Sequence, residues 1–131
     1  MKLRTLALAG ALIAATSPAA LAHHSNAMFD RTKVADIKGT VREFQWTNPH
    51  TWIELEVPGA QGATHYTIEG PTPGILRAGG WKFNTLKPGD QITAKVHPLR
   101  DGSAGGGLMG VTLSNGTVMQ AGSSNAGVVP K

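Results

Sequence analysis

The chain has 131 residues, a formal charge of +4, five histidines and no cysteine. That length suits one small domain with one core and is short for two. Without thiols there are no disulfides, zinc ribbons, thiolate catalysis or iron–sulfur ligation, and without a Lys/Arg run there is no nucleic-acid footprint.

Lys2 and Arg4 precede an apolar run from Leu6 to Ala15, and Ala20-Leu21-Ala22 follows. A basic start, an apolar segment of about 7–15 residues and a small-x-small site predict a secretory signal. The run is far shorter than the roughly 20 residues that a membrane span needs. Cleavage is expected after Ala22, leaving 109 residues with a charge of +2, because Lys2 and Arg4 depart. The expected location is the bacterial periplasm or the exterior, with no membrane span after cleavage. The expected organisation is a signal helix at 1–22, an N-terminal arm at 23–33, a β-barrel domain at 34–119 and a disordered tail at 120–131.

Residues 34–44 predict a first strand, with Ile37, Gly39 and Val41 on one face. Phe44 and Trp46 fall on the opposite parity, so a β-bulge is expected near Glu43. Residues 47–50, Thr-Asn-Pro-His, form a turn. The second strand covers 51–57, with Ile53, Leu55 and Val57 inward, and the third covers 64–69, with Tyr66 and Ile68 inward. Thr72-Pro73 reads as an N-cap followed by proline at the first helical position, and Gly79-Gly80 ends that short helix. Residues 91–97 form the fourth strand, with Ile92, Ala94 and Val96 inward. A flexible loop is expected at 100–107, a fifth strand at 108–113 with Met109, Val111 and Leu113 inward, and a tight Asn115-Gly116 turn into 117–119.

Three strands, one short helix and two or three further strands make an all-β plan. A bulged first strand and a helix between strands three and four point to a five- to six-stranded OB-like barrel. Another small barrel or an open sandwich is the alternative.

The mature chain resembles a bacterial family of small exported proteins of unknown function. The resemblance rests on His23-His24-Ser25, Met28-Phe29-Asp30, Gly39-Thr40-Val41 and the block from Glu43 to His50. It continues through Ile68-Glu69-Gly70, Gly80-Trp81, Lys87-Pro88-Gly89-Asp90 and the block from His97 to Ser103. Asn26 departs from the pattern, which has an aromatic residue after His-His-Ser, and residues 104–107 are unusually glycine-rich. The resemblance implies export and a single domain, and it implies no activity.

The histidines carry the strongest chemistry. Cleavage after Ala22 would free the α-amine of His23, and that amine and ring together can chelate Cu(II) in a tetragonal nitrogen set. His50, in the turn, is the first choice of partner; His24 and His97 are further candidate ligands. Copper is thus the expected metal. A regular hairpin at 58–63 would set Glu56 opposite His65, Glu54 opposite Thr67 and Trp52 opposite Glu69. These six residues form an outer patch on the face that OB-folds use for ligands, suited to a cation, a glycan or a small ligand, or to docking a periplasmic protein partner. His65 is expected to pair with Glu56, and Glu69 to sit near the helix start. No nucleophile elbow, zinc-protease or dinucleotide motif is present, so no catalytic residue is assigned.

Overall fold

The structure is a computed structural model, and it describes residues 25–122. The predicted signal helix, His23, His24 and residues 123–131 lie outside the described residues. A 3-10 turn at Ser25–Met28 leads into β1 (Ala35–Gln45), β2 (Trp52–Val57) and β3 (Thr64–Glu69). Then come α1 (Pro73–Ala78), β4 (Gln91–Pro98), β5 (Gly105–Leu113) and β6 (Val118–Gln120).

The strands pair in the order β3-β2-β1-β4-β5-β6, and β3 also pairs in parallel with β5. That last pairing closes a five-stranded barrel, with β6 added beside β5. The closed path and the helix between β3 and β4 are the OB-like arrangement. Closure matters physically because it leaves few strand edges unpaired.

The alternation along β1 slips at Arg42. Val41 pairs with Leu55, but Glu43 pairs with Glu54, so Arg42 is the extra residue of a bulge. The bulge lets Val41 face inward before it and brings Phe44 opposite buried Ile53 after it. Without the slip, one of the two apolar sets would face solvent.

The core holds Val41, Ile53, Leu55, Ile68, Leu76, Ile92, Val96 and Val111, together with Trp81 and Leu86 from the loop after α1. Trp81 is buried, and its Nε1–H donates to the Gln120 carbonyl at 2.8 Å. Phe44 packs against it, with ring centroids 5.9 Å apart. The loop thus plugs one end of the barrel and ties down β6. Thr72 caps α1 as expected, its Oγ1 accepting from the Ile75 N–H at 3.3 Å.

Two expectations are corrected. The fifth strand begins at Gly105 rather than 108, because the glycine run is what closes the barrel. A Cβ at Gly106 would lie 2.7 Å from the His97 carbonyl, and one at Gly105 would strike the Thr67 carbonyl. Side-chain alternation cannot reveal a strand made of glycine. At the other end, Gln120 belongs to β6 and Ala121 is buried, so the barrel runs past 119.

Candidate functional site

The parallel pairing of β3 with β5 lasts for only three residue pairs, Thr67–Gly105, Ile68–Gly106 and Glu69–Gly107. Beyond Gly107, β5 pairs with β6 instead. The divergence opens a cleft of about 1340 Å³ between α1 and the β5–β6 hairpin, reached by His50, Glu69 and His97. Glycine 107 pairs with both Glu69 and His97. Glu69, Gly107 and His97 therefore form one row across three strands. Neighbouring strands are about 4.8 Å apart, so the Glu69 and His97 backbones stand about 10 Å from each other.

His50 reaches this row through its turn. The Asn48–Pro49 peptide is cis, and the Thr47 hydroxyl donates to the His50 carbonyl at 2.8 Å. Buried Thr51 donates its hydroxyl to the Pro71 carbonyl at 2.9 Å, while the Gly70 N–H donates to the Thr51 carbonyl at 2.7 Å. This lacing sets the His50 ring beside the end of β3. His50 Nδ1 lies 3.2 Å from Glu69 Oε1 and 3.3 Å from the Gly70 carbonyl. A carbonyl only accepts, so we assign the proton to Nδ1, which leaves Nε2 as the available ring nitrogen. The Glu69 side chain is only 11% exposed. It faces His50 and ends β3, four residues ahead of Pro73, the first residue of α1.

His97 is held in a similar way. Its Nδ1–H donates to the Lys33 carbonyl at 2.8 Å, which again leaves Nε2 available. That bond belongs to an arm running along the end of β4. Phe29 bridges to Leu99, the Asp30 N–H donates to the Pro98 carbonyl, and Arg100 Nε donates to the Ala27 carbonyl. The Phe29 ring packs onto Gly107 and is itself buried. A side chain at 107 would displace it, so the glycine gives the arm its seat between Glu69 and His97. Sequence reasoning missed Phe29, and its apolar character ahead of a polar stretch was the signal available.

Asp30 shapes the arm's turn. Its Oδ1 accepts from the Thr32 hydroxyl at 2.6 Å and from the Thr32 N–H at 3.1 Å, and Lys33 Nζ lies 3.3 Å from Oδ2. These donors, the Thr32 hydroxyl foremost, hold the carboxyl at about 2 against an ordinary 3.8. A depressed carboxyl stabilises the fold above its unfolded pKa, and that support fades as pH falls through about 2. Carbon-detected titration of Asp30 should show this midpoint, and Thr32→Val should move it back toward 3.8. A midpoint that Thr32→Val leaves unchanged would contradict the assignment.

The outer patch has the expected register. Glu56 pairs with His65, Glu54 with Thr67 and Trp52 with Glu69. The hydrogen bond runs diagonally, however. His65 Nε2 meets Glu54 Oε2 at 2.5 Å, and the Thr67 hydroxyl donates to the same oxygen at 2.8 Å. Glu56 instead lies 3.9 Å from Arg42. Strand twist brings the diagonal neighbour within reach of a long side chain, so the expected His65–Glu56 pair is corrected to His65–Glu54. Trp52 is half-buried on this face.

Among the described residues, no group of three or more His, Asp or Glu side chains converges on one metal position. The structure brings His50, Glu69 and His97 into one cleft, and it places His65, Glu54 and Thr67 elsewhere on the outer face.

The chain belongs to a family of unknown function (DUF6152). The family model matches residues 10–109. That span takes in the arm, the His50 turn, the glycine closure and His97, and it ends before β6. No curated protein and no solved structure matches the chain.

Proposed function

We propose that this family member is an exported, non-enzymatic module that binds a transition metal ion, copper first, at the His50 end of the cleft. The observation that carries the reading is the His50–Glu69 pair. Metal-ligating histidines characteristically donate their second ring N–H to a carboxylate or a carbonyl, which fixes the tautomer and raises ligand basicity. His50 has both partners, at 3.2 and 3.3 Å.

The remaining donors would come from the arm. Signal cleavage after Ala22 gives His23 an amine and a ring, and with His50 Nε2 these make the nitrogen-rich set that Cu(II) favours. His24 and His97 stand as further ligands. A cleft of about 1340 Å³ has room for both an ion and the arm's first residues. A second reading, docking of a glycan or a protein on the Trp52 face, has weaker support. Trp52 is half-buried there, and Glu54, His65 and Thr67 already bond one another.

The test is to express the full chain with its own leader, read the mature N-terminus by mass spectrometry and titrate Cu(II). A start at His23 is expected. His23→Ala and His50→Ala should each weaken Cu(II) binding about a hundredfold, and Glu69→Gln about 10- to 100-fold, as for an orienting partner. A start upstream of His23, or equal affinity in the His50→Ala protein, would overturn the reading.

A further inference from the structure

The chain's four methionines are Met1, Met28, Met109 and Met119. Two of them, Met109 and Met119, line the same cleft as His50 and His97. They come from neighbouring strands. Met119 pairs with Val111, and the Ala121 N–H donates to the Met109 carbonyl at 2.9 Å. Met109 therefore stands opposite Ala121, two residues from Met119 along β6. The two methionines are diagonal neighbours on the face that also carries buried Val111 and Ala121. Such diagonals are about 7–8 Å apart between Cα atoms, which long side chains can span.

Local backbone features favour this placement. Lys95 pairs with Gly110 and Val96 with Leu108, so Met109 is the extra residue of a bulge between β4 and β5. Bulges re-aim side chains next to sites. Gly110 must be small for the two strands to meet, because a Cβ there would lie 2.8 Å from the Met119 carbonyl. Both methionines are half-buried rather than sealed in the core. The sequence reads Met109 as ordinary inward packing, a need that leucine would meet equally well. Thioether sulfur adds a soft donor to a chain that has no cysteine.

We propose that Met109 and Met119 form a thioether site for a soft monovalent metal ion, Cu(I), on the cleft wall opposite α1. The site deepens the copper reading and rests on it for the identity of the metal. Soft thioethers select Cu(I), whereas imidazole and amine nitrogens hold Cu(II). One cleft would then offer a donor set for each oxidation state, nitrogen at the His50 end and sulfur along β5 and β6.

The experiment uses the mature exported protein with methyl-labelled methionine. Ag(I) serves as a redox-inert probe for Cu(I), and Cu(II) is titrated separately. Ag(I) should shift the Met109 and Met119 methyl signals while exposed Met28 stays in place as the internal control. Replacing both with leucine should keep the fold, as a volume-conserving change. It should weaken Ag(I) binding at least tenfold and leave Cu(II) affinity unchanged. Equal Ag(I) affinity in the double-leucine protein, or a shift confined to Met28, would overturn the proposal. Ag(I) binding at the methionines without Cu(II) binding would overturn the imidazole reading and leave the thioether site standing. Cu(II) binding without Ag(I) shifts would do the reverse.

Discussion

Trp81→Ala is expected to lower the stability of the domain by about 3–5 kcal/mol, the range for an aromatic core residue cut to alanine. Trp81 is 1% exposed, packs against Phe44 and holds the Gln120 carbonyl through its indole N–H. The loss takes a large share of the roughly 5–15 kcal/mol that a domain of this kind possesses. Trp81→Phe separates the causes. It keeps most of the packing and removes one hydrogen bond, for a smaller loss of about 1 kcal/mol. Urea denaturation followed by far-UV circular dichroism would measure both. A Trp81→Ala protein within 1 kcal/mol of the parent would show that the loop does not hold the barrel end.

Gly106→Ala should cost about 1–3 kcal/mol, toward the upper end of what overpacking a core brings. The added methyl would lie 2.7 Å from the His97 carbonyl and 2.9 Å from Val96 Cβ. Both atoms belong to the rigid body of β4, so neither swings aside as the tip of a flexible side chain would. The consequence reaches the cleft, because Gly106 adjoins Gly107, which pairs with both Glu69 and His97. Gly122→Ala is the control. No atom lies within 4 Å of its Cβ position, and its stability should match the parent. A Gly106→Ala protein as stable as that control would mean that β5 does not need its glycines.

Much of the barrel was readable along the chain. Period-two alternation placed β2, β3 and β4 within a residue of their observed ends, since each has one face in the core and one in solvent. The parity slip from Val41 to Phe44 announced the bulge, and Thr72-Pro73 announced the helix start. The cross-strand pairs of β2 and β3 followed from a single hairpin. The glycine closure was not readable, because residues 105–107 have no side chains to alternate. They are strand residues only because β3 and β4 approach from either side.

The candidate site divides along the same line. The residue types came from the sequence: His50 in a turn, Glu69 at a strand end, His97 outward on β4. Their meeting did not, because His50 and Glu69 are joined by backbone lacing between Thr51 and the Gly70-Pro71 pair, twenty residues apart. Phe29 stood out only as an apolar residue ahead of a polar stretch; its seat on Gly107 was hidden, because a glycine leaves no pattern. The switch of His65 from Glu56 to Glu54 depended on strand twist, which a flat register omits.

By itself the sequence determined the class of fold, the strand faces and the candidate ligand residues. Those follow from local alternation and side-chain chemistry. Tertiary structure alone decided that three glycines close the barrel, and that His50, Glu69, His97 and two methionines share one cleft. Such contacts depend on distant backbones meeting, and no local pattern records that.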